Sequence, residues 1–334
     1  MGQSGQQVMH QTTLSCVRTS FAIALCAVAI GCSSDGGATS ATSTGGAASS
    51  GPASTGGAIG SGGSSSTTSV STRCDPSASD GSCFSFFVTG RARLFALAEA
   101  FGVGTSGWGG DFRYGTGDGL TGADKICTEI AELSLPGNSK TWKAFLSTSQ
   151  VNAIDRVGSG PWYDRLNRVI ANNKTELVAT RPGGITNSTI LNNLPNEDGT
   201  PHHNEEDNSQ GQQADNHDIL TGSDGDGKVC NSSTCWNSGI GGGMGGGPGG
   251  GGTSITNSTC GDWTLATKQA GYQPRVGHTW PTMTNGTDDW ISWLNEGGCL
   301  PGYNLIQNGG PNASVGSVGS GGGYGAIYCL AMSP

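Results

Sequence analysis

The stretch HDILTGSDGDGK, residues 217–228, places one histidine beside three aspartates and three glycines. Imidazole and carboxylate groups together can bind a divalent cation. If this stretch forms a metal site, the residues that we expect to contribute are His217, Asp224 and Asp226. We expect no other cofactor, so a divalent metal is the one open question of this kind.

A calcium loop of the EF-hand type is not predicted here. Such a loop needs a bidentate acid at its twelfth position, and counting from Asp224 that position is Cys235. We favour a tight turn that follows a strand. In this interpretation Gly225 and Gly227 supply positive φ, and the aspartates accept hydrogen bonds from their own backbone.

The segment just upstream, residues 201–218, is rich in histidines, acids and amides. Its donor groups could also bind a metal. However, the segment has no apolar periodicity that would fix the ligands in place. We therefore favour a solvated acidic loop.

Three tryptophans lie close together in residues 277–293, with two adjacent acids among them. These residues are Trp280, Trp290, Trp293, Asp288 and Asp289. Aromatic faces bordered by carboxylates suit sugar rings, so this group is the candidate ligand-binding site. The alternative, which we favour, places Trp280 and at least one of Trp290 and Trp293 in the core, because large apolar side chains are usually buried.

Catalytic motifs are scarce. The chain has neither G-x-S-x-G nor H-E-x-x-H. Asp288 and Asp289 could serve glycoside hydrolysis, which uses two acids, but adjacent acids on a loop are commonplace. The sequence therefore predicts a protein that is not an enzyme, with a carboxylate-dependent hydrolase as the alternative.

The first 31 residues are typical of a signal peptide. The apolar run over residues 21–31 is too short to cross a bilayer as a helix, which needs about 20 residues. Ala29 and Gly31 directly before Cys32 resemble the lipobox of bacterial lipoproteins, which implies acylation of Cys32. Ordinary signal cleavage nearby is the alternative. Ser33 beside the anchor resembles lipoproteins sorted to the outer membrane.

Residues 32–73 are dominated by Ser, Gly, Thr and Ala and predict a flexible, lipid-anchored linker. The formal net charge of the whole chain is −9, and no Lys/Arg cluster occurs. Nucleic acid is therefore an unsuitable partner, and contact with a membrane is expected through the lipid anchor alone. The expected location is the cell envelope, with secretion as the alternative.

Hydrophobic spacing predicts the main elements. GADKICTEIAEL, following Thr121, predicts a helix with Thr121 and Asp124 spaced as a capping box and Cys127 on the buried side. Its apolar face consists of Ala123, Ile126, Ile130 and Leu133. Strands are predicted in residues 84–88, 140–147 and 324–334, an added helix in residues 91–101 and a short amphipathic helix in residues 162–171.

The ordered set GLTGADKICTEIAE, TWKAFLSTS, IDRV, HDILTGSDGDG, CGDWT and YCLA resembles the endostatin-like branch of the C-type lectin-like fold. The resemblance implies an α+β domain over residues 74–334, stapled by disulfides and rich in long loops, with insertions at 91–117 and 236–259. It implies an outer disulfide, Cys127 with Cys329, and a nested one, Cys260 with Cys299. The remaining pairs would be local, and they are Cys74 with Cys83 and Cys230 with Cys235.

The same resemblance sets the expected function, an adhesion or binding module for an extracellular glycan or protein. The chain departs from two family sites. It lacks the calcium triplets of sugar-binding C-type lectins, and it has no histidine between Cys32 and Pro201 that could form the zinc site of endostatin. A surface-structural protein without a soluble ligand is a further alternative.

Overall fold

The computed structural model describes residues 74–204, 216–231, 235, 257–280, 289–305 and 315–334. The signal peptide, Cys32 and the linker that the sequence predicts lie outside these described residues. Asp288 and most of the second insertion lie outside them too. The described residues form a mixed structure of helices and sheets joined by four disulfides, which is an α+β fold.

Within these ranges the strands are β1 (Phe86–Val88), β2 (Trp142–Ala144), β3 (Trp162–Tyr163), β4 (Val169–Ala171), β5 (Asp218–Leu220), β6 (Arg275–His278), β7 (Leu294–Asn295) and β8 (Gly323–Ala331). The helices are α1 (Arg91–Ala100), α2 (Gly119–Ser134), α3 (Ala153–Arg156), α4 (Lys174–Leu177), α5 (Ser188–Leu191) and α6 (Cys260–Trp263), with a 3-10 turn at His202–Asn204.

The last strand, β8, is the centre of the main sheet. β1 and β2 both pair with it in antiparallel fashion, while β5 pairs with it in parallel. β6 and β7 extend the sheet beyond β5 and give the order β1-β8-β5-β6-β7. All nine residues of β8 are buried, so both faces of this strand are covered, as expected of a strand at the centre of a layered domain.

Helix α2 packs against β2 and is joined to β8 by the Cys127–Cys329 disulfide. It begins earlier than the sequence predicts, because the carboxylate of Asp118 accepts the backbone N–H of Thr121 and acts as the N-cap. The expected capping box from Thr121 is therefore wrong. Leu133 is also not part of the buried face, since it is 58% exposed.

The four disulfides are those that the resemblance implies. Cys127–Cys329 spans 202 residues and encloses Cys260–Cys299, while Cys74–Cys83 and Cys230–Cys235 close short loops. Disulfides form and persist in oxidising compartments. The four disulfides therefore indicate that the described domain belongs to a non-cytoplasmic protein.

No helix among the described residues is both long enough and apolar enough to span a membrane.

Residues 162–171 form a hairpin, so the predicted amphipathic helix is wrong. β3 and β4 pair across a turn in which Oδ1 of Asp164 accepts the backbone N–H groups of Leu166 and Arg168. Asn167 adopts a positive φ of 58° at this turn. The apolar spacing fits both structures, but Asp and Asn favour the turn.

The first insertion, residues 91–117, adds helix α1 where the sequence predicts one. Leu94 and Ala98 are the buried residues of this helix. After it, the ring of Phe101 packs against Trp108 and Tyr114, with ring centroids 5.8 and 4.9 Å apart. Phe101 remains 48% exposed.

The short element α6 is a turn of left-handed geometry. The φ angles of its four residues are 49° for Cys260, 64° for Gly261, 57° for Asp262 and 63° for Trp263. Each non-glycine residue in this conformation costs about 1–2 kcal/mol. The Cys260–Cys299 disulfide and two hydrogen bonds from Ser149 to the Asp262 carboxylate hold the turn in place.

Candidate functional site

The candidate site lies where the start of β5 meets the end of β6, and the side chain of Glu296 reaches it near Gly321. Asp218 is the first residue of β5 and is paired directly with His278, the last residue of β6. Glu296 directly follows β7, which pairs with β6. The antiparallel register of β5 and β6 therefore places residues 60 positions apart in the sequence side by side.

The side chains of His217, Asp218 and His278 form a compact buried cluster. Nε2 of His278 lies 2.8 Å from Oδ1 of Asp218, and Nε2 of His217 lies 3.6 Å from the same oxygen. One ligand atom from each residue lies within 4.8 Å of the other two. All three side chains are buried, and Asp218 is 1% exposed.

A second buried carboxyl group, Glu296, completes the cluster. Oε2 of Glu296 accepts hydrogen bonds from Oγ of Ser320 and the backbone N–H of Gly321, at 2.8 and 2.7 Å. Asp218 in turn is contacted by Nε2 of His278 and by the carboxyl group of Glu296. Two carboxyl groups are thus buried together.

The two carboxyl groups differ in their protonation. Burial raises the pKa of Glu296 well above its usual range, and the neighbouring charge of Asp218 raises it further. Burial alone would also raise the pKa of Asp218, but His217 and His278 outweigh burial and the pKa lies below its usual range. Asp218 is therefore the charged member, and Glu296 holds the proton.

Gly321 permits this close approach of the two carboxyl groups. A Cβ atom at Gly321 would lie 2.7 Å from Oδ2 of Asp218 and 3.4 Å from Oε2 of Glu296. The first distance is shorter than any ordinary contact. A side chain at position 321 would therefore displace Asp218, the central residue of the cluster.

Aromatic rings surround the two imidazoles. The His217 and His278 rings pack edge to face at 4.3 Å. Trp280 contacts His217 at 5.3 Å, and Trp293 contacts His278 at 5.4 Å. His203 also packs edge to face against Trp280, with ring centroids 4.4 Å apart. Trp280 and Trp293 are only half-buried, so they connect the buried cluster to the surface.

Trp290 does not belong to the predicted ligand-binding site. Its ring is fully buried among Phe86, Phe145 and Tyr328, and its Nε1 donates to the carbonyl oxygen of Leu177. This agrees with the expectation that at least one of these tryptophans is a core residue. The same expectation is wrong for Trp280, which is half-buried.

Asp289 has a structural role. Its Oδ1 accepts the backbone N–H groups of Ile291 and Ser292 and so forms the turn that leads into β7. Burial raises the pKa of Asp289 to about 6, against the opposing effect of those hydrogen bonds and of Arg181 and Arg275. The residue that sequence analysis pairs with it, Asp288, lies outside the described residues.

The structure separates His217 from Asp224 and Asp226. Oδ1 of Asp224 accepts the backbone N–H groups of Asp226 and Lys228, which is an Asx-type turn. Among the described residues, the group with metal-binding spacing is His217, Asp218 and His278. The metal site that sequence analysis considers is thus corrected at both aspartates. Gly227 has the expected positive φ of 75°, whereas Gly225 does not adopt one.

The sequence predicts a solvated acidic loop for residues 201–218, but the described ends of this loop are buried. His202, Asn216 and His217 are buried, while residues 205–215 lie outside the described part. Burial lowers the pKa of His202 to about 3, so this ring is neutral. The ends of the loop therefore belong to the domain interior.

Asp218 belongs to the segment 201–218 whose donor groups the sequence offers as possible metal ligands, and His278 belongs to the tryptophan-rich segment 277–293, but the sequence gives no reason to join them or to include Glu296. The available signal was a histidine–aspartate pair at the start of one strand and a histidine at the end of another. Only the strand register joins them. A comparison with protein-family models finds no match for this chain, and a comparison with curated proteins finds none either.

Proposed function

We propose that this chain is an exported binding module with an endostatin-like, C-type lectin-like fold. A signal peptide and a lipidated Cys32 would place it in the cell envelope, and the linker before residue 74 would hold the domain away from the membrane. The nested Cys127–Cys329 and Cys260–Cys299 disulfides support this kinship, because their arrangement is the one that the fold family implies.

The ligand is an extracellular glycan or protein. The pair of half-buried tryptophans, Trp280 and Trp293, which we call the tryptophan rim, favours a glycan. The observation that carries this proposal is the position of Trp280 and Trp293. Each is half-buried, and each contacts one ring of the buried histidine pair. Aromatic rings held rigidly at the surface offer apolar faces at little entropic cost, and sugar rings stack on such faces.

Binding is favoured over the alternative of a carboxylate-dependent hydrolase. That alternative relied on Asp288 and Asp289 acting as a pair. The Asp289 carboxylate is engaged by two backbone N–H groups of its own turn, so it is poorly suited to move between proton-transfer roles.

A glycan array with the full chain tests the proposal. We expect binding to a subset of glycans and a loss of about tenfold in affinity for Trp293→Ala and for Trp280→Ala. Phe101→Ala is the matched control, since it removes an exposed aromatic ring on the first insertion. If the folded protein bound no glycan on the array, or if Phe101→Ala were the one variant that lost affinity, a ligand site at the tryptophan rim would be overturned.

A further inference from the structure

We propose that His217, Asp218 and His278 bind one divalent cation of the zinc class through two imidazole nitrogens and a carboxylate oxygen. The three residues come from two adjacent strand ends, β5 and β6, in a sheet that holds their backbones in register. This inference does not depend on the identity, or the existence, of a glycan ligand.

The spacing of the ligand atoms fits a small cation. In tetrahedral zinc sites the metal–ligand distance is about 2.0–2.1 Å, which places neighbouring ligand atoms about 3.3 Å apart. The two separations from Oδ1 of Asp218, 2.8 Å to Nε2 of His278 and 3.6 Å to Nε2 of His217, lie on either side of that value. All three ligand atoms lie within 4.8 Å of one another, so small side-chain rotations would complete the site.

The environment of Asp218 points the same way. An ionised carboxylate in a protein interior is costly unless hydrogen bonds or a cation compensate it. The Asp218 side chain is fully buried, and it contacts the imidazoles of His217 and His278 and the carboxyl group of Glu296. A cation held between this carboxylate and the two imidazoles would provide the compensation.

The donor set selects the class of cation. Imidazole nitrogen suits zinc and its neighbours in the first transition row, whereas calcium and magnesium prefer oxygen ligands alone. Zinc is redox-inert and accepts two imidazoles with a carboxylate. We therefore expect zinc to be preferred over calcium, with cobalt as a spectroscopic substitute.

Neighbouring groups hold the proposed ligands in position. Glu296 lies against Asp218 and is itself fixed by Ser320 and Gly321. Trp280 and Trp293 pack on the two imidazoles and restrict their rotation. Metal sites depend on such outer contacts to orient their ligands. The cluster therefore needs only small side-chain rotations to receive a cation.

The rival explanation is a purely structural ion pair, in which protonated histidine and Asp218 neutralise each other. Calorimetric titration of the full chain with zinc chloride, after dialysis against a chelator, separates the two. We expect one zinc per chain, a higher Tm with zinc, and no comparable response to calcium. Absence of zinc binding by the folded chain would overturn the proposal.

Variants locate the cation. Asp218→Asn preserves the shape of the side chain and His278→Ala removes one imidazole; each should weaken zinc binding at least about 100-fold. His203→Gln is the matched control, because His203 packs on Trp280 but lies outside the ligand group, and it should keep the affinity of the unmodified chain within about threefold. Equal losses in all three variants would place the zinc elsewhere and overturn the assignment.

A second measurement keeps the test valid if a variant fails to fold. Cobalt added to the unmodified chain should give the visible absorption typical of tetrahedral cobalt, and zinc should displace it in a one-to-one ratio. An octahedral spectrum, or no displacement, would overturn the site. Zinc binding without glycan binding would leave this inference intact and refute the proposed function, while glycan binding by a folded chain that binds no zinc would do the opposite.

Discussion

Nε2 of His278 and Oδ1 of Asp218 lie 2.8 Å apart in the interior of the domain, on residues directly paired across β5 and β6. Strand register places these two residues side by side. His217 adds a second imidazole and Glu296 a second carboxyl group. Four buried ionisable groups therefore converge where β5 begins and β6 ends, and a half-buried tryptophan contacts each imidazole.

Gly321→Ala should damage this cluster selectively. The added Cβ would lie 2.7 Å from Oδ2 of Asp218, and such overpacking typically costs about 1–3 kcal/mol. We expect lower unfolding free energy in urea and weaker zinc binding. Gly225→Ala is the control, since its Cβ would make only an ordinary contact of 3.4 Å with Asp289. Equal stability of the two variants would contradict the tight packing at residue 321.

Trp290→Ala should be far more destabilising than Trp293→Ala. Trp290 is fully buried among core aromatic rings and its Nε1 is hydrogen-bonded, so its loss should lower the free energy of unfolding by about 3–5 kcal/mol. Trp293 is half-buried, and we expect a loss of about 1–2 kcal/mol. Chemical denaturation measures both, and a reversed order would show that the roles of the two rings are misassigned.

The outer disulfide should contribute more to stability than the first local one. Replacing both Cys127 and Cys329 by alanine opens a loop of 202 residues, against 9 for Cys74 and Cys83. In the chain-entropy account, these losses are about 5 and about 3 kcal/mol. Thermal unfolding of the two double variants should show the larger decrease in Tm for the first. A larger decrease for the second would argue against the entropic explanation.

Glu197 should make stability depend on pH. Its carboxylate accepts the backbone N–H of Gly90 and pairs with Arg93, but burial raises the pKa of Glu197 above its usual range. The folded state therefore binds this proton more tightly than the unfolded state does. The contribution of Glu197 to the free energy of unfolding is fully present below the usual glutamate pKa. It is lost as the pH rises through the raised pKa of the folded state.

Glu197→Gln should remove that pH dependence. The amide oxygen of glutamine can still accept the Gly90 N–H, so the variant retains the contact without the ionisation. We expect the unmodified chain to lose stability relative to this variant as the buffer changes from one below the usual glutamate pKa to one at neutral pH. Denaturation curves in both buffers provide the measurement, and parallel pH profiles for the two proteins would refute the raised pKa.

Strong periodic patterns in the sequence predicted several elements well. Helix α2 and strands β1, β2 and β8 lie where apolar spacing places them, because long amphipathic or buried segments leave few alternatives. The helix predicted for residues 162–171 was wrong because a short segment leaves more than one structure open. Their apolar spacing is short enough to fit a helix or a hairpin, and the turn formed by Asp164 and Asn167 decided between them.

The candidate site was only partly predictable. His217 and the tryptophans drew attention because their side chains suit metals and sugars. The partnership of Asp218 with His278 depends on the pairing of β5 with β6, and the position of the Glu296 carboxyl group depends on its hydrogen bonds with Ser320 and Gly321. A single sequence contains no direct record of strand register. Burial of Trp290, rather than its exposure, likewise follows from long-range packing.

Anomalous diffraction at the zinc absorption edge tests the central claim most directly. Crystals of the chain grown with zinc chloride should show one strong anomalous peak about 2.0–2.2 Å from Nε2 of His217, Nε2 of His278 and a carboxylate oxygen of Asp218. Density at that position without an anomalous signal, or zinc bound only at surface histidines, would contradict a buried metal centre.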